Sequence, residues 1–166
     1  PRSVATSLDG ALVVIGGAVT FVNPEPLALF ADVIAAGEGE VLVPSLLEAV
    51  AEATSRADLL TKLATRRGFY IPSFYEIAYD DRGLIARVEP RAGTGAPVPV
   101  KKAAVKATEK LDPPTTSIFT PDTEFGSRVL IEIVRGCANL CRFCWAGYNY
   151  LPVRPFNTER ILELAA

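Results

Sequence analysis

At 166 residues the chain has room for about one domain of ordinary size. With 49% hydrophobic residues, 22% charged residues and a net charge of −2 it can bury a real core; this excludes a highly charged disordered polymer and gives no support to polyanion binding. No run approaches the roughly 18 apolar residues of a membrane span, and the start lacks the basic-then-apolar pattern of a secretory signal, so a cytoplasmic protein is expected.

Residues 11–17, ALVVIGG, form a continuous apolar run closed by two glycines, the pattern of a strand buried on both faces of a parallel sheet. In the following NPEPLALFADV, Asn23 suits a helix cap, Pro24 its first position and Glu25 the positive end of its dipole. DVIAAGEGE repeats the strand-to-glycine pattern, and VPSLLEAVAEA predicts a second helix with Leu46, Leu47, Val50 and Ala51 on one face. Glu38 and Glu40 fall near that helix start, where acidic side chains are stabilising by themselves. The order β-α-β-α implies a parallel sheet with right-handed crossovers, but two strands are too few to close a domain. Further strands are therefore expected before Pro1.

The middle is of another kind. FYIPSFYEIAY is rich in aromatic and β-favouring residues, DDRG is a turn, and LIARVEP returns as the second strand of a hairpin. Residues 96–116 mix Pro, Lys and Ala and read as an extended connector, with Lys101, Lys102, Lys106 and Lys110 as solvated linker charges rather than a nucleic-acid contact. From Arg128, RVLIEIV predicts a strand, a cysteine-bearing loop follows, and a helix begins near Asn157. Strand, ligand-bearing loop and helix place chemistry at the carboxyl end of a strand. The last segment, NTERILELAA, breaks off in a helical pattern without a stop signal, and there is no Met anywhere. Both ends thus read as cut, the chain being a piece of a longer protein.

All three cysteines lie in eight residues, Cys137, Cys141 and Cys144, in a chain without histidine. In a loop, C-x3-C-x2-C lets three thiolates converge on one small centre, and a cluster of four irons is large enough to accept all three. Disulfides between cysteines so close would close tiny strained loops and leave one thiol over. Structural zinc usually takes four protein ligands, and neither a fourth cysteine nor a histidine exists here. A packing role sits poorly beside Arg135, Asn139 and Arg142. A three-cysteine iron–sulfur cluster leaves one iron open to a small molecule.

This spacing, with Phe143 just before the last cysteine, resembles the signature of the radical S-adenosylmethionine enzymes. The resemblance implies that Cys137, Cys141 and Cys144 ligate a [4Fe–4S] cluster and that Phe143 lies beside the adenine of S-adenosylmethionine. It also implies reductive cleavage to a 5′-deoxyadenosyl radical, with electrons from an external donor. RGCANLCRFCWAG followed by YLPVRP is similar to the subgroup carrying a cobalamin-binding-type domain ahead of the radical barrel. GG at Gly16 and Gly17 with NPEPLALFADVIAAGEGE resembles the last third of that domain, where paired glycines let backbone approach the nucleotide tail of cobalamin. A tight turn after a strand accounts for the same glycines. The histidine that ligates cobalt from below in many cobalamin proteins has no counterpart in this chain.

The implied fold is α/β. Residues 1–55 form part of a Rossmann- or flavodoxin-like parallel sheet, 56–125 a hairpin-rich connector, and 126–166 the first strand, loop and helix of a TIM-type barrel. An orphaned barrel strand exposes apolar edges, so the segment alone is expected to be inactive and prone to dimerise. The competing reading is a non-catalytic ligand-binding or electron-transfer module, its fourth ligand supplied by another chain or by an acid such as Asp122.

Overall fold

The computed structural model describes residues 11–166, so the first ten residues of the 1–55 segment lie outside it. The chain divides into two compact units, one running to Ala104 and the other from Val105 to Ala166.

In the first unit, β1 (Val14–Gly16) pairs in parallel with β2 (Val33–Ala35), in register Val14 to Val33, Ile15 to Ile34 and Gly16 to Ala35. This is the parallel pairing that the repeated strand-to-glycine pattern predicts. A third strand, β3 (Phe69–Tyr70), runs antiparallel on the other side of β2 and gives the order β1-β2-β3. The centre of the sheet is therefore β2, whose three residues are all buried, while β1 at the flank is partly exposed. The expectation that residues 11–17 are buried on both faces is thus corrected: strand position, which β3 decides, transfers that role to β2.

The helix expected from Asn23 does not form. Residues 18–21 and 25–27 make short 3₁₀ turns, and the Asn23 side chain accepts a hydrogen bond from the Glu25 amide, 3.1 Å away. The helical turn over 25–27 is not continued, and β2 begins at Val33, which leaves little chain for a longer helix. The next helix, α1 (Gly39–Glu52), does form and begins four residues ahead of its expected start. Glu38 caps it in an extended conformation, its carbonyl accepting from the Val41 and Leu42 amides. The expected apolar face is rotated: Leu42 and Ala49 are buried and Leu46 packs on the core, whereas Leu47 is 62% and Val50 48% exposed. With helix residues apolar nearly all round, periodicity alone did not choose the face.

Helix α2 (Arg56–Thr65) starts at Ser55, whose hydroxyl accepts from the Asp58 amide at 3.1 Å. Leu59, Leu63 and Ala64 bury its inner face against Ile34, Phe69 and Ile71. Each fully buried large apolar side chain contributes about 1.5–3 kcal/mol relative to an exposed one. Beneath the helix start, Arg56 and Asp32 form a buried ion pair at 2.5 Å, and Asp32 also accepts from the Val13 amide at 2.7 Å.

The hairpin appears as β4 (Tyr75–Tyr79) and β5 (Ile85–Pro90), joined by the DDRG turn, in which Asp80 accepts from the Arg82 and Leu84 amides. Its expected first half, Phe69–Tyr70, instead belongs to the main sheet, because the 3₁₀ turn at Pro72–Phe74 separates β3 from β4. The connector returns to the first unit at Ala103, which bridges Gly37 and is fully buried.

The second unit is sparser in ladders. Of the strand expected over 128–134, Val134 is paired, in β6 (Val134–Arg135), antiparallel to β7 (Arg154–Pro155); Ile131 adds an isolated bridge to Thr115. The rest of the run is held by single hydrogen bonds rather than a ladder, Thr116 N–H to the Leu130 carbonyl, Glu132 N–H to the Pro114 carbonyl and Phe156 N–H to the Ile133 carbonyl, while Val129, Leu130 and Ile133 stay exposed. A short helix, α3 (Trp145–Asn149), follows the cysteines, and α4 (Thr158–Ala165) starts where expected, with Asn157 as its cap, the side chain accepting from the Arg160 amide at 3.0 Å. Among the described residues no helix is long and apolar enough to cross a membrane.

Candidate functional site

Each unit carries one part of the candidate chemistry. In the first, parallel pairing places the carboxyl ends of β1 and β2 side by side, which is where open α/β sheets bind ligands. A cleft of about 410 Å³ opens there, lined by Gly16, Gly17, Ala35, Gly37 and Gly39, with Leu42, Leu46 and Phe69 from the core side. A β-carbon at Gly16 would make only ordinary contact with the Ala35 carbonyl at 3.5 Å. Gly17 has φ +96° and open space about its Cα, so its glycine requirement is conformational. The buried Thr20 hydroxyl lies 2.8 Å from the Gly17 carbonyl and 3.3 Å from that of Ala35, and ties the two strand ends together.

Among the described residues that line this cleft, no side chain is charged. Glu40 stands in the first turn of α1, where an acidic residue suits the positive helix end, and Glu38, the cap, is buried. Apolar walls and glycine backbone suit a flat or apolar portion of a ligand. Gly37, Gly39 and Phe69 are contributions that the sequence reading missed. The GEGE stretch was the available signal for the two glycines, and Phe69 reaches the cleft only through the unexpected third strand.

In the second unit, β6 and β7 close the base of an excursion over residues 136–153 that carries Cys137, Cys141 and Cys144. All three thiols are free, Cys141 exposed and the other two half-buried. The Cys144 amide donates to the Cys141 carbonyl at 2.9 Å, making a tight turn, and Cys144 is the N-cap of α3. Leu140, before the second cysteine, adopts φ +47°, an uncommon left-handed conformation for a side chain of this kind. Its carbonyl accepts from the Tyr148 hydroxyl at 2.8 Å, which anchors the loop to α3. Phe143 is 92% exposed. Asp122, the candidate extra ligand, is exposed and its carboxylate accepts from the Thr120 hydroxyl.

The thiols fit an iron–sulfur cluster as a donor set, since thiolates are the ligands such clusters take and none of the three is sealed in the interior. Among the described residues, no group of three or more His, Cys, Asp or Glu side chains is already focused as a metal site. The fold thus gathers the cysteines on one loop without converging their sulfurs.

Residues 4–72 match the family of radical SAM proteins, in the part described as N-terminal. An uncharacterized protein of Methanocaldococcus jannaschii is 27% identical over 158 residues, an alignment covering 93% of this chain and 28% of that protein. The chain therefore spans under a third of the length of this curated relative. No solved structure matches it. The matched residues lie well apart from the cysteines.

Proposed function

We propose that the chain is a segment of a radical S-adenosylmethionine enzyme, in which Cys137, Cys141 and Cys144 ligate three irons of a [4Fe–4S] cluster and leave the fourth for S-adenosylmethionine. The observation that carries this reading is the C-x3-C-x2-C set on an accessible loop, downstream of residues 4–72 that match the N-terminal part of radical SAM proteins. When bound, the cluster supplies the electron, received from an external donor, that cleaves S-adenosylmethionine. The protein's part is to hold and orient: the cysteine loop binds the irons, and the outward-facing Phe143 offers a ring for the adenine. The glycine-lined cleft at Gly16 and Gly17 is the place for the nucleotide tail of cobalamin, its apolar walls supporting a bulky organic ligand.

In this reading residues 1–55 end a cobalamin-binding-type domain, 56–125 connect, and 126–166 open the radical barrel of a cytoplasmic enzyme. The exposed Val129, Leu130 and Ile133 support self-association of the segment when it stands alone. Anaerobic iron and sulfide reconstitution followed by electron paramagnetic resonance, with and without S-adenosylmethionine, is the test. A four-iron signal that shifts on adding S-adenosylmethionine is expected; a cluster indifferent to it, or zinc in its place, refutes the reading and leaves an electron-transfer or ligand-binding module.

A further inference from the structure

The cysteine loop is held at its base by two arginines that no ligand reading employs. Arg135 and Arg154 stand directly opposite each other in the β6–β7 pair, and both are buried, at 9% and 5% exposure. Like charges in opposed positions repel, so each must be compensated within the fold. Arg135 makes a two-pronged contact with Glu132, Nε at 2.9 Å and Nη2 at 2.7 Å, and lies 5.5 Å from the centre of the Phe156 ring. Arg154 takes another route: its guanidinium donates to the carbonyls of Val105 at 2.6 Å, Pro152 at 3.1 Å and Tyr150 at 3.4 Å.

The Tyr150 carbonyl is also the surface against which the entry to the loop is packed. A β-carbon on Gly136, at φ +88°, would sit 2.6 Å from that oxygen and 3.3 Å from the Pro152 carbonyl. Only a glycine fits between the Arg154-bound carbonyls and Cys137. One guanidinium thus fixes the segment leaving α3, and that segment in turn fixes the backbone one residue before the first cysteine.

We infer that Arg154, acting through the Tyr150 and Pro152 carbonyls on Gly136, is a positioning residue that sets where Cys137 stands relative to Cys141 and Cys144. This rests on the cluster reading above. Losing a group that orients metal ligands from outside typically costs about 10–100-fold in affinity, and an orienting role of that kind, exerted through backbone, falls here to a residue ten positions beyond the last cysteine.

The test uses the reduced full chain under anaerobic conditions and Co²⁺ as the probe, followed by its thiolate charge-transfer and ligand-field absorption. Wild type is compared with Arg154→Gln, Arg154→Lys, Gly136→Ala and, as control, Arg160→Gln. Arg160 is an exposed residue of the same unit that pairs with Asp112 and Glu163. Arg154→Gln and Gly136→Ala are expected to weaken Co²⁺ binding roughly tenfold with altered ligand-field bands, Arg154→Lys to recover part of the loss, and Arg160→Gln to leave affinity unchanged. Should Arg154→Gln fail to fold by circular dichroism, the Gly136→Ala and Arg154→Lys spectra decide. Wild-type affinity and bands in those variants overturn the positioning role, whereas a wild-type chain that shows no thiolate–cobalt band overturns the cluster reading beneath it.

Discussion

Replacing Gly68 by alanine separates packing from backbone strain in the first unit. Gly68 joins α2 to β3 at φ +91°, and a β-carbon there would lie 2.7 Å from Leu42 Cδ2, 2.9 Å from Ala103 Cβ and 3.0 Å from the Ala36 carbonyl. A left-handed non-glycine residue costs roughly 1–2 kcal/mol, and forcing a methyl into a filled core costs a further ~1–3 kcal/mol. Gly68→Ala should therefore lower stability by about 3 kcal/mol, or roughly 12–24 °C in melting temperature for a unit of this size. Gly83→Ala is the matched control, since Gly83 has φ +75° in the hairpin turn and nothing within 4 Å of its would-be β-carbon. It should lose only the backbone part, about 1–2 kcal/mol. Urea unfolding of both variants, analysed by midpoint and slope, makes the comparison. If the two losses agree to within about 0.5 kcal/mol, the scale on which distant substitutions depart from additivity, the close approach of Leu42 and Ala103 to Gly68 is not a real constraint.

The buried pair Arg56–Asp32 should behave as breaking a compensated charge demands: Asp32→Ala leaves the guanidinium buried and is expected to cost about 3–5 kcal/mol in urea unfolding; a loss below about 1 kcal/mol, the level of an exposed pair, would contradict this. Burial foremost, then the hydrogen bond to Glu25, raises the pKa of Tyr70, and burial raises that of Tyr75. Their contribution is complete below the ordinary phenol range near pH 10 and declines as pH rises beyond it, by up to about 1.4 kcal/mol per pH unit for each group. Phenolate absorbance should show both ionising late, and Tyr70→Phe should flatten the alkaline fall in stability; an unchanged fall would assign it to other groups. Asn157→Ala should cost about 1 kcal/mol of α4, read as faster amide exchange over residues 158–165, and unchanged exchange would show that the cap does not hold the helix.

Features that depend on neighbours along the chain are legible in the amino-acid order. The parallel alternation around Gly16 and Ala35, the hairpin turn at Asp80–Gly83, the helix start near Asn157 and the crowding of three cysteines into one loop all follow from local pattern and spacing. Turns and caps are short-range hydrogen-bond problems, so a few residues specify them. Tertiary structure alone decided which strand is central, because Phe69 and Tyr70 joined the main sheet rather than the hairpin. It also chose the face of α1: with Val43, Leu47 and Val50 as apolar as Leu42 and Leu46, only contact with the sheet breaks the tie. The helix expected at Asn23 gave way to short turns, and the run over 128–134 split between single bonds to residues 114–116 and the short ladder of β6 with β7. The cysteine loop shows the same division. Its donors are legible as letters, but the two buried arginines at its base are ordinary charges in the sequence, and only the pairing of β6 with β7 turns them inward beneath the thiols' loop.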